Sequence, residues 1–211
     1  MAKQKEEAIV VSKPNWKNLE IPIVGETVLN IHRLGKKLQQ EFTDRDQNKP
    51  KKKNGPRNLQ AEFMDSMYYI DNSYQETEMP KAITKTTKFG FPSSGFKKAI
   101  VSASRSYANL KMTEMRGRVF VMNSFVRIEG TPVMDEFWRR IGGKGPGTGT
   151  PDIGIRAKFP EWKATLFVKY NADLISAESV VNLIATAGLS VGIGEDRAEK
   201  SGNTCGMWRV A

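Results

Sequence analysis

Ile153-Gly-Ile-Arg-Ala-Lys-Phe159, Lys163-Ala-Thr-Leu-Phe-Val-Lys-Tyr170 and Ser176-Ala-Glu-Ser-Val-Val-Asn-Leu-Ile-Ala-Thr-Ala-Gly188 decide how this chain reads. The first two alternate apolar with polar or small residues, the period of a strand with one buried face. In the third, Ser176 stands as an N-cap with Glu178 in the first turn. Val180, Val181, Ile184 and Ala187 follow at helical spacing, and Gly188 sits where a glycine ends a helix. Val191-Gly-Ile-Gly-Glu-Asp-Arg197, a polar loop and Gly206-Met-Trp-Arg-Val210 complete the chain.

Strand, strand, helix, glycine turn, strand is half of a ferredoxin-like or RNA-recognition-type arrangement. The expected class is α+β: a ferredoxin-like, RRM-like antiparallel sheet with helices on one face and basic and glycine-rich insertions. At 211 residues the chain holds one good-sized domain or two small ones. The expected division is a flexible tail over 1–17 and a single RRM-like domain over 18–211, with insertions at about 32–66 and 134–151. No apolar run is long enough to span a bilayer and no signal peptide is visible, so no membrane partner and a cytoplasmic setting are expected.

Cys205 and His32 are the only cysteine and histidine. That removes internal disulfides, cysteine zinc sites and most histidine acid–base chemistry. No cofactor and no metal site are expected. The formal net charge of +10 points to a polyanion, most often nucleic acid, against the alternative of a merely basic surface.

Taken in order, apolar alternation from Leu19 predicts a strand over about 18–31, bent near Gly25, with Pro22 marking an edge. The stretch 32–57 carries nine Lys or Arg against three acids and supplies six of the ten net charges. Leu34, Leu38 and Phe42 are spaced for a short amphipathic helix. Asn48-Lys-Pro-Lys-Lys-Lys-Asn-Gly-Pro56 reads either as a phosphate-neutralising arm or as a solvated insertion. Met67-Tyr-Tyr-Ile70 reads as a strand. Ser93 or Ser94 is placed to cap a helix whose stripe is Phe96, Ala99, Ile100, Ala103 and Tyr107, with Lys97, Lys98, Ser102 and Arg105 opposite. Arg118-Val-Phe-Val-Met122 and Phe125-Val-Arg-Ile128 read as strands, with a hairpin across Asn123-Ser124. Residues 134–150 read as a short helix running into a basic glycine loop. This loop is not a Walker A motif, because Lys144 is followed by Gly145 rather than a hydroxyl residue.

Phe91-Pro-Ser-Ser-Gly-Phe-Lys-Lys-Ala99, together with the glycine-rich loop over 192–206, resembles the repeat-associated superfamily that includes the backbone subunits of CRISPR effector complexes. Those subunits open their first helix with a Pro-Gly-Ser-Ser-Leu-Lys-Gly-Ala-type segment and carry a glycine-rich loop before their last strand. The final loop here departs from theirs, setting Glu195, Asp196 and Glu199 against Arg197 and Lys200. Residues 89–105, Arg127-Ile-Glu-Gly-Thr-Pro132 and 170–210 are also similar to uncharacterised bacteriophage proteins, which implies a phage gene acting in a bacterial host.

The expected function is a non-catalytic, phage-type protein that oligomerises along single-stranded RNA or DNA, as a homo-oligomer or within a multi-subunit complex. Lys51, Lys52, Lys53, Lys97, Lys98, Arg105, Arg139, Arg140 and Lys144 are the expected phosphate contacts. Phe89, Phe91, Tyr107 or Trp138 are the candidates for base stacking, whereas Phe96 and Phe167 are expected in the core. The alternative is a phage interaction or inhibitor protein that binds or mimics a subunit of a host defence complex. A metal-dependent nuclease is the third reading. Asp44/Asp46 and Glu195/Asp196 are the closest acid pairs, and each sits amid counter-charge.

Overall fold

The computed structural model describes residues 12–49, 56–142 and 148–211. Its elements in order are β1 (Trp16–Gly25), β2 (Leu29–Ile31), α1 (Lys36–Asp46), α2 (Leu59–Asp65), β3 (Tyr68–Tyr69), β4 (Phe89–Pro92), α3 (Ser93–Ala103), α4 (Met112–Arg118), β5 (Val119–Val121), β6 (Phe125–Glu129), β7 (Val133–Ile141), β8 (Thr150–Phe159), β9 (Lys163–Asn171), α5 (Ala177–Ser190), α6 (Ala198–Ser201) and β10 (Trp208–Val210). A 3-10 turn, Ser104–Ser106, extends α3.

The class is α+β. Among the described residues two antiparallel sheets form. One has the order β10-β1-β9-β6-β4-β3, with β5 also on β9, and the other has the order β2-β8-β7. Alternation sets the faces of the large sheet. On β9, Ala164, Leu166, Val168 and Tyr170 are buried, and on β1, Ile21 and Ile23 are. These residues meet the buried stripes of α3 (Phe96, Ala99, Ile100) and α5 (Val180, Leu183, Ile184, Ala187). Burying a large aliphatic side chain contributes roughly 1.5–3 kcal/mol, so these stripes hold the two helices on the sheet.

Ser176 caps α5 as expected, its side chain accepting from the Ser179 amide at 3.1 Å. Gly188 does not end the helix, which runs on to Ser190. A Cβ at Gly188 would collide with the Trp208 carbonyl oxygen, so this glycine lets α5 approach β10. The Ser93/Ser94 cap is also corrected. No side chain caps α3, and the Ser93 hydroxyl donates to the Met122 carbonyl at 3.3 Å.

Other expectations change with the topology. The first strand starts at Trp16, two residues inside the expected tail, and divides at Gly25 into β1 and β2, which belong to different sheets. Residues 134–141 are strand rather than helix, paired from Val133↔Lys158 to Ile141↔Thr150. β5 and β6 form no hairpin, because both lie along β9 as one strand interrupted at residues 122–124. Asn123 has φ 66° there, a conformation asparagine tolerates.

The successive strands β8 and β9 likewise separate into the two sheets. Trp162, at the corner between them, is 2% exposed, and its indole Nε1 donates to the Thr27 carbonyl at 2.8 Å. Thr27 lies in the matching break between β1 and β2, so one indole fixes both crossings.

Candidate nucleic-acid interface

The face of the large sheet away from α3 and α5 carries the odd-numbered residues of β9 and their register partners. Phe120 stands opposite Lys169, and Trp16 opposite Asn171. The Trp16 and Phe120 rings meet edge-on with centroids 5.7 Å apart. Lys169 Nζ lies 5.7 Å from the centre of the Trp16 ring. From α3, Lys97 Nζ reaches the Phe120 ring at 3.9 Å. The two adjacent rings are therefore flanked by an ammonium group on each side, Lys97 at Phe120 and Lys169 at Trp16, with Glu20 exposed on the same face.

Burial pulls the pKa of Lys97 below its ordinary value. Among the described residues no carboxylate ion-pairs with it. It is a cation partly stripped of water and held over a ring, and an arriving phosphate would restore what desolvation removes. Trp16 is 39% exposed. Farther along the face, Tyr74 packs on Phe167 at 5.7 Å. Phe167 is thus not the core residue expected, but part of the outer face under a loop.

A second concavity, of about 340 Å³, lies between the first turns of α3, β2 and the glycine-rich loop, with Gly95, Lys98, Asn30, Gly194 and Lys200 in its wall. The loop sits tight on β2. The Glu195 amide donates to the Asn30 carbonyl at 2.9 Å. Gly194 has φ 79°, and a Cβ there would collide with that same carbonyl.

Beside it Arg156, 8% exposed, donates from Nε to Asp135 at 2.7 Å and from Nη1 to Asp196 at 2.5 Å and to Glu195 at 3.1 Å. Burial disfavours this guanidinium, but the three carboxylates outweigh it and raise its pKa. For Glu195 the hydrogen bond with His32 is the largest influence and burial opposes it. The bond from Arg156 adds to the first, and the pKa falls below the ordinary carboxylate range. The loop's acids are therefore engaged inside the protein. Glu199 accepts from the Ser102 hydroxyl and from Arg105 Nη2. Lys98 and Lys200 line the cleft with no ion pair among the described residues.

The structure divides the expected contact residues among separate places. Lys97 joins the ring ledge, and its neighbour Lys98 faces the cleft. Arg105 is tied to Glu199 at 3.1 Å. Arg139 pairs with Asp152 at 2.8 Å, a hydrogen bond that lowers the Asp152 pKa. Arg140 Nη1 donates to the Gly149 carbonyl at 3.3 Å. Lys51, Lys52, Lys53 and Lys144 lie outside the described residues.

Of the proposed stacking residues, Phe89 is core, at 5% exposed, and Trp138 is 77% exposed on β7. Phe91 lines the cleft against Phe96. The Tyr107 hydroxyl hydrogen-bonds Thr186 at 2.6 Å. Sequence reasoning passed over Trp16, Phe120, Lys169 and Arg156. An aromatic residue three positions before the recognised alternation was the available signal for Trp16.

Among the described residues no group of three or more His, Cys, Asp or Glu is placed to hold a metal ion. None of their helices is long and apolar enough to cross a membrane.

No family model matches the chain, and no curated protein does. Among solved structures the chain is similar to the crystal structure of Cmr6 from Pyrococcus furiosus, at 10% identity and a TM-score of 0.42, over 93% of this chain and 99% of that one. It is also similar to a chain of a CRISPR RNA-guided surveillance complex, at 11% identity and a TM-score of 0.36, over 91% of this chain and 66% of that one.

Proposed function

We propose that this protein is a non-catalytic binder of single-stranded nucleic acid, built on a ferredoxin-like sheet of the repeat-associated type. The observation that carries the reading is the ring pair Phe120 and Trp16 on the open sheet face, flanked by Lys169 and by Lys97 reaching in from α3. Rings accept bases of any sequence, and ammonium groups on either side of them meet the phosphates of an unpaired strand. The order β10-β1-β9-β6, with α3 and α5 on the opposite face, supports the reading of a ferredoxin-like sheet, and Trp16 stays exposed on the other face. The ion pairs of Glu195 and Asp196 with Arg156, and of Asp44 with Lys49, support the non-catalytic reading. Successive copies bind side by side along one strand, in the bacterial cytoplasm where a phage product acts.

The test is a salt titration of binding to unstructured RNA and DNA oligonucleotides, followed by the fluorescence anisotropy of a labelled oligonucleotide. Affinity is expected to fall steeply with salt, the slope losing about 0.7 for each phosphate contact removed in Lys97→Ala or Lys169→Ala. Absence of salt-dependent binding to either polymer sinks the reading. A protein partner captured from nuclease-treated host lysate, with no nucleic acid bound, would favour the interaction-protein alternative.

A further inference from the structure

We propose that β7 is a homodimerisation edge: two copies pair their β7 strands antiparallel about a two-fold axis at Trp138, so that Glu136 of each copy faces Arg140 of the other. This goes beyond the nucleic-acid reading and does not depend on it.

β7 is the outer strand of the sheet β2-β8-β7 and pairs on one side only. Its 9 residues, Val133-Met-Asp-Glu-Phe-Trp-Arg-Arg-Ile141, include no proline or glycine, and its four charges are two acids and two arginines, which a second copy of the same strand can pair rather than repel. Its backbone donors and acceptors on that side have no strand partner among the described residues, which is the condition that invites another strand.

The side chains divide by parity. Asp135, Phe137 and Arg139 serve the fold, with Asp135 on Arg156, Phe137 under the Arg156 guanidinium at 4.4 Å and Arg139 on Asp152. The even ones, Met134, Glu136, Trp138 and Arg140, are all exposed, and Trp138 is 77% exposed. Neither Glu136 nor Arg140 has an ion-pair partner among the described residues.

Charge then selects one geometry. Acids occupy one half of β7 and arginines the other. Parallel in-register pairing would set Glu136 on Glu136 and Arg140 on Arg140, which is repulsive. Antiparallel pairing centred on Trp138 sets Glu136 opposite Arg140 twice, and the indoles opposite each other. Centring on Phe137 would instead match Asp135 with Arg139, both already engaged within the chain. A two-fold contact uses the same strand on both copies, so it closes at two and cannot propagate as a fibre.

Sedimentation equilibrium of the full chain tests this, with Glu136→Arg, Arg140→Glu, the double exchange and Trp138→Ala. The wild-type protein is expected to dimerise reversibly. Each single charge reversal should weaken association roughly tenfold to a hundredfold, because attraction becomes repulsion at both symmetric positions. The double exchange should return it to near the wild-type value, and Trp138→Ala should weaken it with the charges intact. Far-UV circular dichroism confirms folding, since all three side chains are exposed. A wild-type monomer at every concentration overturns the proposal. So does a dimer indifferent to all the variants, or a folded double exchange that stays monomeric.

Discussion

Replacing Arg156 by methionine tests the polar bolt that fastens the glycine-rich loop. Methionine keeps an apolar stem over Phe137 and removes only the charge and its hydrogen bonds. Asp135, Glu195 and Asp196 then lose a guanidinium held at 2.5–3.1 Å. Breaking one side of a buried ion pair costs about 3–5 kcal/mol. The carboxylates are not fully dry, with side-chain exposures of 19% for Asp135, 33% for Glu195 and 32% for Asp196, and His32 still faces Glu195. Water therefore takes up part of the loss, leaving about 2–3 kcal/mol. With a urea m-value of about 2 kcal/mol/M, the unfolding midpoint should fall by about 1 M. The pH dependence carries a sign. A carboxylate whose folded pKa is depressed, as for Glu195, stabilises the fold above its ordinary pKa, and that contribution is lost as pH falls through the depressed value. The gap between wild type and Arg156→Met should thus be widest near neutrality and narrow in acid. A variant whose midpoint stays within about 0.3 M of wild type at neutral pH would refute the bolt.

Trp16→Ala should weaken binding of single-stranded oligonucleotides by roughly 1–3 kcal/mol if one base stacks there, while thermal melting checks that the fold is kept; unchanged affinity removes Trp16 from the interface. Lys98→Ala distinguishes the cleft from the ledge. If strands track only the ring ledge, its salt slope matches wild type, whereas Lys97→Ala flattens it. Gly188→Ala should be destabilising despite alanine's better helix propensity, because the new methyl meets the Trp208 backbone. A calorimetric Tm at or above wild type would contradict that packing.

The elements that sequence alone made legible were those whose periodicity agrees with their packing. α5, β8, β9 and β10 fell where alternation and Ser176 put them. β7 was misread because Asp135/Arg139 and Glu136/Arg140 are spaced by four, which suits one face of a helix and, being even, one face of a strand equally well. Gly188 obeyed a terminal-glycine rule locally but answers to Trp208, a contact that no local pattern contains. The departure noted in the final loop, its acids, looked unfavourable for phosphate only while Glu195 and Asp196 were counted as solvent charges. Arg156, from a different strand, engages both. Lys97 and Lys98, adjacent in sequence, serve different surfaces because consecutive positions on a helix point about 100° apart.

The ladder of β1 has a consequence for how the chain acquires its shape. β1 pairs with β9 and β10, so residues 16–25 wait for residues 163–171 and 208–210 to be made before that ladder can close. Loop closure over such separations is slow compared with a hairpin like β7–β8. The ring ledge, drawn from positions 16, 97, 120 and 169, comes into being only at that final docking step. Nascent chains therefore cannot engage a strand through it before residue 169 has emerged.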